Sequence, residues 1–98
     1  MNIQALMKQA QSMQKDMMKA KEEIDSKEYE ATVSFVSVKS LGNKKITSVK
    51  INKETLDHDD IEALEDMIIV AVNEVNSKID RETEDKMGKY TKGLPGIF

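Results

Sequence analysis

His58 stands among Asp57, Asp59 and Asp60, the one stretch of the chain whose side chains could hold a metal ion or pass a proton. A lone histidine falls short of the several ligands that a specific metal site needs. The aspartates have a simpler use as helix caps, because a long helical periodicity begins just after them. The chain has no cysteine, which removes thiolate nucleophiles, disulfides and cysteine metal sites together. It also lacks a serine, histidine and acid constellation, a phosphate-cradling glycine loop and paired active-site carboxylates. Neither catalysis nor a cofactor nor a metal is expected.

What remains is charge. The formal net charge is −3, but it is distributed in blocks, and blocks govern contact with a charged partner more than the sum does. Residues 1–21 set Lys8, Lys15, Lys19 and Lys21 against Asp16 alone. Residues 31–53 carry lysines and no acid, residues 54–74 carry acids and no lysine or arginine, and beyond 75 the signs mix.

These charges must be positioned by a chain of 98 residues with two Phe, two Tyr and no Trp. That is at most one small domain, 1–98, whose core relies on aliphatic and methionine side chains. A second copy would enlarge so small a core, which makes a homodimer the natural expectation. Ile3, Leu6, Ala10, Met13, Met17, Ala20 and Ile24 alternate at steps of three and four, predicting a helix over about 2–26 with a heptad seam. At 1.5 Å per residue such a helix is about 35 Å long, so part of it should project. Met7 and Met18 lie off the seam.

From about 29 to 52 the pattern alternates in twos. Tyr29, Ala31, Val33 and Phe35 share one parity and Val36 and Val38 the other, a slip that means a bulge, a bend into a second strand or burial on both faces. Gly42-Asn43 suits a hairpin turn needing positive φ, and Ile46 to Ile51 forms the last strand of a two- to three-stranded antiparallel meander. Asp59 with Glu62 predicts a capping box at the start of a helix over about 59–88. Ile61, Leu64, Ile68, Ala71, Val72, Val75 and Ile79 form its apolar stripe, which thins after Asp80, so the helix should leave the core before Gly88. A tail, 89–98, follows. The fold class is thus α+β: long helix, small meander, long helix. The polar N-terminus lacks a signal-peptide core, and the apolar runs fall well short of the roughly 20 residues of a membrane span. A soluble cytoplasmic protein is expected.

Leu6-Met7-Lys8-Gln9-Ala10-Gln11 through Met13-Gln14, Val49-Lys50-Ile51-Asn52 with Leu56, Leu64-Glu65-Asp66 leading to Ala71-Val72-Asn73, and the tail Gly93-Leu94-Pro95-Gly96-Ile97-Phe98 together resemble the YbaB/EbfC family of nucleoid-associated proteins. The likeness covers nearly the whole chain. Thr32-Val33-Ser34 departs from the glycine-rich strand connection of that family, and Ile68-Ile69-Val70 from its alanine-rich helix. The resemblance implies a tweezer-like homodimer, joined through the sheet, whose helical prongs grip double-stranded DNA in the bacterial nucleoid and affect nucleoid organisation and gene expression.

Under that implication the charges specify how DNA would be held. Arg81 is the single arginine, so bidentate reading of guanine has little to work with. Contacts should run mainly to phosphates and weaken with salt. The candidates are Lys8, Lys15 and Lys19 on the first helix and Lys78, Arg81, Lys86 and Lys89 on the last, with the acids of 54–74 turned away. A second function of another class also fits: a homodimeric protein-interaction module of the replication or repair machinery, gripping partners through adaptable methionines with weak or no DNA binding.

Overall fold

The computed structural model of the chain describes residues 2–91. Helix α1 (Ile3–Ser26) leads into strands β1 (Glu28–Val33), β2 (Val36–Leu41) and β3 (Ile46–Ile51), and α2 (His58–Thr91) follows. This is the expected α+β order, with three strands in an antiparallel sheet ordered β1-β2-β3.

Local chemistry explains each boundary. Asn2 begins α1 by accepting the Ala5 N–H on its side-chain oxygen at 3.3 Å, and Lys27 ends it by turning to extended backbone. The parity change after Phe35 is a chain reversal: Val33 pairs with Val36 across a tight turn in which Ser34 takes a φ of 52°. Phe35 therefore sits in the turn and not on the strand face with Tyr29, Ala31 and Val33. At the second hairpin the left-handed residue is Lys44, with φ 71°, and not Asn43. Gly42 answers a different need. A Cβ at this position would strike the carbonyl group of Ile24 at the end of α1, and the Gly42 N–H donates to the Lys27 carbonyl at 3.0 Å.

The capping box of α2 lies two residues earlier than expected, and the helix begins at His58. Asp57 accepts the N–H groups of Asp59 and Asp60 on Oδ1 at 3.0 and 3.1 Å, and Asp60 accepts the Asp57 N–H in return at 3.0 Å. Two orphan donors are satisfied reciprocally, so the box is Asp57 with Asp60 and not Asp59 with Glu62.

Register puts Tyr29, Ala31, Val36 and Val38 on one face of the sheet, where Ala71, Val75 and Ile79 of α2 bury them. The same face continues through Ile51, Val49 and Ile46, paired with Val36, Val38 and Ser40. Helix α2 packs on β1 and β2 without reaching β3, so these three aliphatics stay exposed at 39, 47 and 41%. At the other end, Ile24 gathers with Met87 and Tyr90, flanked by Met17 and Ala20. The apolar stripe of α2 thus does not end near Asp80. Met87 and Tyr90 extend it past Gly88, because α1 offers Ile24 as a partner there.

The shape is elongated. The radius of gyration is 19.5 Å, against about 13 Å for a compact chain of this length. Both helices contribute, α2 by its 34 residues and α1 by its projection: every residue from Asn2 to Asp16 is exposed, as the projecting part was expected to be.

The two described glycines should respond oppositely to alanine. Gly42→Ala must push α1 off the hairpin and should cost about 2 kcal/mol or more. Gly88→Ala, where a Cβ meets nothing within 4 Å among the described residues, should stabilise by about 0.5 to 1 kcal/mol through helix propensity. Urea unfolding followed by circular dichroism measures both.

Candidate nucleic-acid interface

The seven candidate cations divide by helix. On α1, Lys8, Lys15 and Lys19 are separated by seven and four residues, hence about 10 Å and 6 Å along the axis on a single stripe. The stripe lies opposite the apolar seam. All three are exposed, and α1 positions them without burying any of their charge. Among the described residues, the ion pair formed by an α1 lysine is that of Lys21 with Asp25 at 3.3 Å.

The α2 cations are more engaged. Lys78 Nζ donates to the Glu30 carbonyl at 2.8 Å, fastening α2 to β1. Lys86 pairs with Glu82 one turn back at 3.0 Å, and the Lys89 ammonium lies 5.0 Å over the Tyr90 ring. Arg81 stays exposed and donates Nε to the Ser77 carbonyl of its own helix at 3.4 Å. Helical phase spreads these four over about 140° of one side of α2, against about 40° for the three lysines of α1. They do not form a stripe comparable to that of α1.

Sequence reasoning missed the centre of this engagement. Glu82 is bound by Lys27 at 2.8 Å as well as by Lys86, joining the end of α1 to α2. Lys27 above all, then the Tyr29 hydroxyl and Lys86, draws the Glu82 carboxyl down to about 2. Burial, with Glu82 adding to it, pushes the Tyr29 hydroxyl up to about 12. That hydroxyl leans on the carboxylate without full hydrogen-bond geometry. The Glu82–Lys86 spacing is visible in the sequence; the Lys27 contact, across 55 positions, is not.

The acidic block takes the opposite end of the molecule. Lys27 meets Glu82 while Met17 and Ala20 gather near Tyr90, so the helices run antiparallel. The N-terminal half of α2 therefore lies far from the tip of α1. Along α2 (His58–Thr91), Asp60 and Glu62 stand about 40 Å from Met87 at 1.5 Å per residue, several screening lengths at physiological salt. Separation along the molecule, and not only a turned face, keeps these acids from the lysine stripe. Within the block, Asp57 and Asp60 act as caps, and Lys53 binds Asp60 at 2.9 Å; with the Asp57 contacts, this holds the Asp60 carboxyl low.

A projecting helix with an exposed lysine stripe is suited to an extended polyanion. Comparison with known proteins gives the family. The model of the YbaB/EbfC DNA-binding family matches residues 1–94. The chain belongs to that family. Its relatives include a nucleoid-associated protein of Oceanobacillus iheyensis, 46% identical over 101 residues, which cover 99% of this chain and 97% of the relative. A nucleoid-associated protein of Ligilactobacillus salivarius is 41% identical over 99 residues, 99% of this chain and 95% of that one. The crystal structure of an uncharacterized protein from Helicobacter pylori shares the fold, with a TM-score of 0.71 at 18% identity over 87% of this chain and 91% of the other. This YbaB/EbfC chain belongs with DNA-binding proteins and not with enzymes. Among its described residues no helix is long and apolar enough to cross a membrane. The Gly93–Phe98 motif of the resemblance lies outside the described residues.

Glu82 makes stability depend on acid. Its folded value near 2 lies below the ordinary 4.5, so its contribution is present above about pH 4.5 and lost as pH falls toward 2. Glu82→Gln should cost about 1 kcal/mol at neutral pH and flatten that part of the acid-unfolding profile. Thermal melts of both proteins between pH 2 and 7 check this.

Proposed function

We propose that this chain is a nucleoid-associated protein that binds double-stranded DNA as a tweezer-like homodimer, mainly through phosphates, and thereby affects nucleoid organisation and gene expression. The observation that carries the reading is the exposed stripe Lys8, Lys15 and Lys19 on the projecting half of α1. Of the α2 cations, Arg81 is the most available, and Lys78, Lys86 and Lys89 contribute after exchanging internal contacts for phosphate. Such binding is weakly dependent on sequence and strongly dependent on salt.

The homodimer is supported by the unroofed part of the sheet. Ile46, Val49 and Ile51 extend the core face past the edge of α2, and Ile61, Ile69 and Val70 of α2 are also exposed, at 50, 59 and 46%. An apolar face continuous with the core and left open to water calls for a partner surface, and a two-fold axis through it would bring the same face of a second copy. The second reading, a homodimeric module for protein partners at replication or repair sites, draws on Met7 and Met18, exposed at 57 and 63% off the seam.

Two measurements test these readings. Replacing Lys8, Lys15 and Lys19 by Gln should weaken duplex binding and lower the salt slope by about 0.9 for each phosphate that is no longer neutralised. Replacing Lys78, Lys86 and Lys89 should do less. Absence of gel retardation by the unaltered protein even at about 50 mM salt would reject phosphate binding and favour the protein-interaction module. Val49→Glu, in an exposed strand position, should leave a folded monomer by sedimentation; a monomeric unaltered protein at micromolar concentration would sink the dimer.

A further inference from the structure

A second row of side chains runs along α1 beside the lysines. Met7, Gln11, Gln14 and Met18 follow one another at steps of four, three and four, which places them within about 60° of helix surface, centred about 90° round from Lys8, Lys15 and Lys19. The row belongs neither to the apolar seam nor to the lysine stripe. Both amides are exposed, and Met7 and Met18 are 57 and 63% exposed. Asp16, the one acid among residues 2–21, lies on the other side of the helix by its phase.

The fold brings the two rows together. Gln11, Gln14 and Met18 line one open groove of about 930 Å³ with Lys15 and Lys19, and the β2–β3 hairpin contributes Leu41 and Asn43 to it. Toward the root of α1 the lining turns acidic with Glu22 and Asp25, the latter held by Lys21 at 3.3 Å. Phosphates are therefore accepted along the outer part of the helix and repelled at its root.

The chemistry of the row is that of a base-edge reader. A single α-helix fits the major groove of B-DNA, which is about 12 Å wide. With the lysines against phosphates at the rim of that groove, side chains a quarter-turn away face the base edges. A glutamine amide pairs with adenine N6 and N7, an apolar side chain meets the thymine methyl group, and neither suits a G·C pair as well. The row from Met7 to Met18 is about 16 Å long, about five base-pair steps.

We propose, given binding to duplex DNA, that Gln11 and Gln14 read adenine and that Met7 and Met18 contact thymine methyl groups in the major groove. Phosphate binding then carries a preference for A·T pairs.

Two duplexes of equal length, one A·T-rich and one G·C-rich, offer the same phosphates. Titration of the full chain at about 50 mM salt should show the A·T-rich duplex bound at least about fivefold more tightly. Gln11→Ala with Gln14→Ala, on an exposed helix where alanine is well tolerated, should bring the ratio to about one and leave the salt slope as it is. A·T-rich DNA also differs in shape and stiffness, so a third duplex replaces thymine by uracil, which deletes the methyl group and keeps the pairing. It should bind the unaltered chain about fourfold less tightly than the thymine duplex, as expected when one methyl group is left out of an apolar contact. Met7→Ala with Met18→Ala should erase that difference. Equal affinity for the A·T-rich and G·C-rich duplexes, or a preference that survives the glutamine changes, would overturn the inference and leave phosphate binding standing. A uracil duplex bound as tightly as the thymine one would overturn the methionine contacts, and failure to bind any duplex would overturn the DNA-binding reading as well.

Discussion

Gly42 lets the backbone of the β2–β3 hairpin rest directly on the Ile24 carbonyl at the end of α1, and the way α1 meets the rest of the molecule depends on that approach. With the hairpin in place, Lys27 stands beside Glu82 and Ile24 beside Met87 and Tyr90. The contact thus sets the angle at which α1 leaves the sheet and makes it antiparallel to α2. A side chain at Gly42 would move the junction, and with it the whole outer half of α1, since a small rotation at the root displaces a long rigid helix most at its tip.

From that junction the molecule divides into a packed part and an exposed part. Val36, Val38, Val75 and Ile79 are fully or almost fully buried because α2 lies squarely on β1 and β2. One helix about 10 Å across does not roof a three-stranded sheet, so β3 keeps its apolar side chains open. The exposed half of α1 has the opposite character: its seam is short of a partner, and its far side carries charge. Both features describe a chain that has used its own core to build a frame and left surfaces for other contacts.

Electrostatics follows the same division. Several cations near the frame are consumed by it: Lys27 and Lys86 on Glu82, Lys78 on the Glu30 carbonyl, Lys53 on Asp60. On the projecting helix, Lys8, Lys15 and Lys19 remain open to solvent. A chain with net charge −3 can therefore present a positive stripe, because Asp57 and Asp60 of its acidic block are held at the other end as helix caps.

Periodicity by itself determined the element types, their order, the seam of α1 and the lysine stripe, since all of these are set by neighbours within a few residues along one helix or strand. The family could be recognised for the same reason, from short motifs spread along the chain. Tertiary structure decided the rest. That the slip at Phe35 is a hairpin, that Gly42 is required by Ile24 and not by its own φ, and that α2 runs on to Tyr90 all depend on groups distant in sequence. So does the fate of the candidate cations: Lys8, Lys15 and Lys19 stay unpaired while Lys78, Lys86 and Lys89 do not. Charge can be counted along a chain, but whether it is neutralised depends on distances of a few ångströms that only the folded chain creates.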